Sequence, residues 1–530
     1  MINKRILTLF VLSVLFLSAC GGGSGDSSTA PVASVPAPTW NQGVFASESN
    51  FKNRCENPRT GSDINGDAYP DIAGSKLYEK HWLRSWSNNT YLWYDEIIDS
   101  DPVSVDDPID YFDQLVTTAE TPSGTPRDQF HFAQDTTEYL QLTSGGAALS
   151  YGARFKLIKA SPPREGRIAY VEPNSPAADA NFTRGTEIIA IDGVDFINGG
   201  DTDTLNKGLF PDVAGEEHTF IVRDLGQTTT RSVVLKAEVV TNEPVKATRI
   251  INTPSGKVGY LALNTFGTRN TEIALAEAME ELAEESPDDL VLDLRYNGGG
   301  LVAISAQLGY MIAGSALSDD KVFTKTVFNA KHPTNDPRTG NTLIPVPFID
   351  TTLGLVTGTA IQPLPSLNLN RVFVLSSGST CSASELLINA LRGIDVNVVL
   401  IGDTTCGKPY GFSPTDNCGT TYSTIQFRSE NEKGFGDYAD GFSPNNAPAF
   451  IGESVQGCQV TEDVMHPLGD EQEVMLKAAL EYRNTSTCPP VTASRAETID
   501  VEGNLKNDPY FKKRQLLEQI RMDYLRTTYK

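Results

Sequence analysis

The spacing of apolar and polar positions changes character three times along the chain. From Leu77 to Ile98 aromatic residues dominate, and Leu77, His81, Arg84 and the tryptophans recur at helical intervals, which predicts helices packing a small core. Asp107 to Ala119 offers a second helical stretch, followed by a turn at Pro122-Ser123-Gly124. Between 145 and 240 the pattern shortens into β-rich runs, Arg167 to Val171, Glu187 to Ile191, Thr219 to Val222 and Arg231 to Leu235, separated by Gly, Pro and Asn. From 245 to 485 it becomes α/β. Buried-type strands at Val258 to Leu263 and Leu290 to Leu294 enclose an amphipathic helix, Thr271 to Ala283, with Ile273, Leu275, Met279 and Leu282 on one side. Further on, a strand at Val372 to Leu375, a turn of small residues, a helix from Glu385 to Arg392 and a strand at Val396 to Ile401 follow one another. A helix from Glu471 to Tyr482 and a polar one from Lys512 to Tyr524 complete the pattern. The expected architecture is multidomain α/β: a helical N-terminal domain (45–140), a β-rich domain (145–240), an α/β domain (245–485) and a C-terminal helical tail (486–530).

Charge narrows the partners. The 530 residues carry 43 basic and 67 acidic side chains, a net charge of −24, so no nucleic-acid partner is expected. The N-terminus reads as an export signal: Lys4 and Arg5, an apolar stretch from Ile6 to Leu17, and the small residues Ser18-Ala19 before Cys20. Leu17-Ser18-Ala19-Cys20 resembles a bacterial lipobox. That resemblance implies a signal peptide over 1–19, lipidation of Cys20, and a lipid anchor in the cell envelope; Gly21 rather than Asp after the cysteine implies the outer membrane, facing the periplasm. A plain secretory signal or a short membrane anchor are the alternatives, and the apolar stretch is short for a spanning helix. The Gly-, Ser-, Ala- and Pro-rich run after Cys20 has the composition of a flexible tether, taken as 20–44. Setting Cys20 aside leaves Cys55, Cys381, Cys406, Cys418, Cys458 and Cys488, enough for three disulfides of open connectivity. A zinc site is the rival, without CxxC or HxxxH spacing to support it.

Within the β-rich segment, Val171 to Phe196 ("VEPNSPAADANFTRGTEIIAIDGVDF") resembles the core of a PDZ domain. The resemblance implies that Tyr151, Gly152, Ala153 and Phe155 belong to a carboxylate-binding loop, where successive N–H groups cup a C-terminal carboxylate while the peptide adds a strand to the sheet edge. The alternative is a plain turn in a spacer domain.

The chemistry lies in three segments. "SGSTCSASELLINALRG" (Ser377 to Gly393) places small residues before a helix whose N–H groups and dipole can stabilise an oxyanion, although a serine at a helix start is ordinarily a cap. "VLDLRYNGGG" (Val291 to Gly300) is a strand ending in a turn of bare backbone. "IGDTTCGKPYGF" (Ile401 to Phe412) is a strand followed by a Gly-flanked loop carrying Lys408. Together, after the PDZ-like segment, they resemble the carboxyl-terminal processing (tail-specific) serine peptidase family over about 145–485. The resemblance implies a crotonase/Clp-like peptidase domain, Ser382 as nucleophile, Lys408 as general base, backbone N–H groups of Ala383 and Gly299 as the oxyanion hole, protein or peptide substrates, and no cofactor. A lysine accepts a proton only as the neutral amine, rare at pH 7 for an ordinary lysine pKa of ~10.4, and desolvation in a closed site favours that form. Ser379 and Ser384 compete with Ser382 as nucleophile.

The sequence departs from the family where a glutamine follows the lysine by four residues; here that position is Phe412, and Gln426 is a candidate replacement. His466, near Glu462 and Asp463, offers a Ser–His alternative. Cys381 and Cys406 flank the dyad, as a brace or as buried thiols. "DINGDAYPD" sets Asp63, Asn65, Asp67 and Asp71 at the alternating spacing of a calcium loop, but EF-hand position six is Ala68 and position twelve Gly74, and an acidic turn is the default. The competing functional readings are a non-catalytic PDZ lipoprotein scaffold and a crotonase-like acyl-transfer enzyme.

Overall fold

The computed structural model describes residues 37–447 and 452–490, with backbone alone at 142–145. The expected signal peptide, Cys20, most of the tether and the Lys512–Tyr524 helix lie outside them. No helix among the described residues is long and apolar enough to cross a membrane.

The organising element is a six-stranded sheet in the order Val245–Thr253, Gly256–Leu263, Asp289–Asp293, Arg371–Ser376, Asn397–Gly402, Gly457–Gln459. Its first pair is antiparallel and the remaining pairs are parallel. The Asp289–Asp293 strand is buried at every residue, as a parallel strand covered on both faces must be. Period-two alternation sends Leu290 and Leu292 to one core and Val291 to the other. The first core is closed by the helices Asn270–Glu284, Val302–Ala313 and Ala383–Gly393, through Leu275, Ile304 and Leu387. The second is closed by Val474–Thr485, through Met475, Leu476 and Ala479. The strand carrying the glycine turn and the two that precede Ser382 and Lys408 are adjacent, so the loops at their C-terminal ends converge. Open α/β sheets place sites there.

Residues 153–236 form an antiparallel sheet in the order Arg231–Lys236, Glu217–Arg223, Glu187–Ile191, Glu165–Val171, Ala153–Lys159. Its core is Phe196, Phe220, Ile188, Ile191 and Leu205. Ala153–Lys159 is the edge strand.

Of the N-terminal aromatic stripe, Tyr78, Trp82 and Trp86 share one helix, Lys76–Thr90, in which Trp82 and Trp86 stack at 5.1 Å, while Tyr91, Trp93 and Tyr94 follow its end. The second expected helix is shorter than its pattern. It runs Pro108–Phe112, starting where the Asp107 carboxylate accepts the Ile109 N–H, and ends in i→i−3 turns at Gln114 and Leu115. This region is threaded into the α/β region: Phe132–Asp135 pairs antiparallel with Thr420–Ser423, a disulfide joins Cys55 to Cys418, and buried Tyr422 packs on Trp82. The remaining cysteines pair as Cys381–Cys406 and Cys458–Cys488, so all six sit in disulfides.

Candidate active site

The turn from Ser377 to Ser382 is held from both ends. Thr380 Oγ1 donates to Leu294 O (2.9 Å), Cys381 N–H to Asn297 O (3.1 Å) and Ser384 Oγ to Asn297 O (3.0 Å). These bonds dock the serine turn onto the glycine turn and leave Ser382 at φ 55°, ψ −113°, a conformation an L-residue rarely adopts. Such outliers persist where the surroundings over-determine them, and they cluster at functional sites. The close approach requires Gly299: a Cβ there would lie 2.7 Å from Ser382 Cβ and 2.8 Å from Cys381 O. Ser384 is wholly buried with its hydroxyl engaged, and Ser379 lines a different cavity, so Ser382 is the serine of the three that lines the pocket shared with Lys408.

That pocket is lined by Ser382, Ala383, Gly300, Lys408, Tyr410 and Phe412, among others. One carboxylate joins its two chemical residues. Glu385, in the first turn of the helix, accepts the Ser382 N–H (3.0 Å), the Lys408 N–H (2.8 Å), the Gly407 N–H (2.8 Å) and the Thr405 hydroxyl (2.5 Å). The reach from Glu385 back to Ser382 is the acidic half of a capping box. Burial raises the Glu385 carboxyl to about 7, against the lowering effect of these donors. Beside it, the Cys381–Cys406 disulfide ties the residue before Ser382 to the residue two before Lys408. Cys381, Glu385 and Cys406 are close enough to suggest a metal cluster, but both sulfurs are consumed by their bond.

Lys408 is 2% exposed, and its Nζ lies 4.3 Å from the Phe412 ring centre and 5.0 Å from that of Phe130. Phe412 thus occupies the lysine's surroundings directly. Gln426 does not take the role considered for it: its amide accepts the Ser413 N–H (3.1 Å) and donates to the Ser413 carbonyl (3.5 Å). His466 is not among the residues lining the Ser382 pocket. It pairs with Asp463, which holds its imidazole above the usual range, and its carbonyl accepts from Arg184.

The Ala383 N–H opens the helix, where no intrahelical acceptor exists; Ala383 lines the pocket, and its nitrogen lies 2.9 Å from the position of a Gly299 Cβ. The Gly299 N–H, by contrast, donates to Asn297 Oδ1 (2.9 Å), while neighbouring Gly300 lines the pocket. The glycine turn is anchored underneath by Arg295, fully buried between Asp293 (2.8 Å) and Glu473 (2.7 Å), which hold its guanidinium charged.

A second cavity lies between the edge-strand loop and the glycine turn, lined by Gly152, Ala153, Arg154, Tyr296, Gly298 and Ser379, among others. Of the expected peptide-binding residues, Gly152 and Ala153 face it. Gly152 has φ 76° and its Cβ would meet Ser175 at 2.2 Å. The Tyr151 side chain belongs to the core: it is 1% exposed and packs edge-on against Phe220 at 5.7 Å. Phe155 is half-buried and stacks on the same ring at 5.9 Å. The calcium-like loop is a turn. Asp63 accepts the Asn65 and Asp67 N–H groups, and Asp71 is taken by Arg59 at 2.8 Å, so the four side chains do not converge.

Two residues central to this site were not singled out by the sequence reading. Glu385 carried a signal, the Ser-x-x-Glu spacing of a capping box. Phe130 carried none, because it reaches Lys408 only through pairing of distant strands.

Residues 257–426 match the sequence profile of peptidase family S41. This segment holds Gly299, Ser382, Glu385 and Lys408, while Phe130 and Tyr438 lie outside it. The chain is similar to a carboxyl-terminal-processing protease of Synechocystis sp., 28% identical over 276 residues, covering 51% of this chain and 55% of that protein. It is also similar to a chloroplastic C-terminal processing peptidase of Tetradesmus obliquus, 27% identical over 248 residues, covering 44% of this chain and 46% of that one. The chain spans about half the length of these relatives. A solved structure of an S41 protease from Bacteroides fragilis shares the fold, with a TM-score of 0.58 at 23% identity over 79% of this chain and 99% of that one.

Proposed function

We propose that this protein is a serine endopeptidase that hydrolyses peptide bonds through a Ser382–Lys408 dyad and an acyl-enzyme. The observation that carries the reading is the shared pocket of Ser382 and Lys408, with Glu385 binding the backbone N–H of both. Neutral Lys408 takes the Ser382 proton as Oγ attacks the substrate carbonyl. The Ala383 N–H receives the developing oxyanion, and the Gly299 N–H joins it if Asn297 releases it. As the C–N bond breaks, Lys408 returns the proton to the leaving amine. Water, deprotonated by the same lysine, then releases the acyl group and restores the serine.

The β-rich region acts in this reading as a PDZ domain that captures C-terminal or unfolded segments along the Ala153–Lys159 edge. The Gly152–Ala153 cavity abutting the glycine turn supports that role. Lipidation at Cys20 would hold the protein at the outer membrane, facing the periplasm. The test is cleavage of a disordered protein by wild type, Ser382→Ala and Lys408→Ala. Both variants are expected to lose at least ~10³-fold in rate while keeping wild-type circular dichroism; retained cleavage in both sinks the proposal.

A further inference from the structure

We propose that Phe130 and Phe412 form an aromatic clamp that positions Lys408, making both rings positioning residues of the dyad. This rests on the assignment of Lys408 as general base. The clamp closes on the lysine from two segments remote in sequence. Phe412 arrives on the loop that follows Lys408, fixed by the Gln426 N–H to Gly411 O bond (3.0 Å) and by pairing of Gly411 with Phe427. Phe130 arrives from the N-terminal region, just before the strand that pairs Phe132 with Ser423. Its own N–H is held by Asp128 Oδ1 at 2.9 Å, and Asp128 Oδ2 is held in turn by the Tyr91 hydroxyl, also at 2.9 Å. Phe130 and Phe412 are 5% and 2% exposed, in one cluster with Phe132, Ile425 and Cys381. The rings therefore have fixed positions independent of the lysine, and the lysine lies within cation–π range of both.

A flexible four-carbon side chain has many rotamers, and a base must present one of them to its serine. Two apolar walls restrict Lys408 without offering a competing acceptor. The pocket lining brings Tyr410 and Tyr438, Glu385 accepts the Lys408 backbone N–H, and Asp128, bonded by the Tyr91 hydroxyl, accepts the Phe130 N–H.

The test compares Phe412→Leu, Phe130→Leu, the double variant and the conservative Phe412→Tyr in the full chain. Each leucine variant is expected to lower kcat about 10-fold with KM within twofold, and the double variant further, while Phe412→Tyr stays within threefold of wild type. A second readout needs no turnover: the rate of amine-directed labelling of Lys408, mapped by mass spectrometry at one fixed pH, should rise several-fold when either ring is removed. Leucine variants with wild-type kcat and wild-type labelling would overturn the clamp. If one leucine variant fails to fold, the other, from the opposite segment, decides. A wild-type protein inactive on every substrate but with ring-dependent Lys408 labelling would refute the peptidase reading and leave the clamp standing.

Discussion

Glu385 concentrates several contacts in one carboxylate: three backbone N–H groups and a hydroxyl, all from the segments that carry the dyad. Glu385→Gln replaces one acceptor oxygen with a donor facing donors, and each buried N–H left unpaired costs about 1–3 kcal/mol. The expected outcome is a lower urea midpoint together with a kcat loss of ~10-fold or more; Glu385→Gln with wild-type kcat would remove its positioning role. Titration offers a second check at this scale. Burial raises both Glu385 and Glu79 to about 7 from an ordinary 4.5, Glu79 despite the Tyr422 hydroxyl it accepts at 2.8 Å. Each folded pKa exceeds the unfolded value, so their stabilising contribution is complete below pH 4.5 and is lost as pH rises through 7. His81, which burial lowers to about 4, acts in the other direction: its contribution is present above 6.5 and lost as pH falls through 4. Comparison of Glu79→Gln with wild type isolates one group. Between pH 5 and 8 the variant should lose less stability than wild type in urea titrations, and parallel curves would count against the raised carboxyl.

The strands and helices were legible because their burial writes a local period. Glu187–Ile191 was placed residue for residue, and the helix around 271–283 within a residue at each end. The three loops that meet at the Ser382–Lys408 pocket were legible because each follows a buried strand and carries its own small-residue pattern. What local pattern could not supply is pairing at long range. The Phe132–Asp135 strand, the Cys55–Cys418 disulfide and Phe130 at Lys408 all join positions about 280 or more residues apart. Gln426 shows the converse: an amide near the lysine loop in sequence is committed instead to the Ser413 backbone. Two supports of the loops lend themselves to test. Arg295→Leu strands Asp293 and Glu473 in the core, which should cost about 3–5 kcal/mol of stability in denaturant unfolding. The Cys381–Cys406 disulfide closes a short loop containing the nucleophile helix, worth about 3 kcal/mol by chain entropy. Cys381→Ser/Cys406→Ser should stay folded at 25 °C with kcat reduced several-fold; unchanged kcat would make the bond dispensable for the dyad.

At the scale of the molecule, the β-rich region meets the α/β region along a polar seam. Arg184 donates to the Tyr296 hydroxyl (2.7 Å) and to Asp463 O (2.7 Å), while Lys156 pairs with Glu462. Ala153, Tyr296 and Gly298 line one cavity, which sets the Ala153–Lys159 edge beside the glycine turn. If that edge captures free C-termini, amidating a substrate's C-terminus should raise KM with little change in kcat, measured on one disordered substrate in both forms; equal KM would assign the edge a spacer role. The net charge of −24 favours solubility. The expectations for activity depend on Ser382 acting as the nucleophile, a residue that the local sequence alone reads as a helix cap. The most direct measurement is therefore covalent: treat the intact protein with a serine-reactive fluorophosphonate and map the adduct by mass spectrometry. The account predicts one adduct, on Ser382, lost in Ser382→Ala and strongly slowed in Lys408→Ala. An adduct on Ser379 or Ser384, or labelling that persists in Ser382→Ala at the wild-type rate, would contradict it.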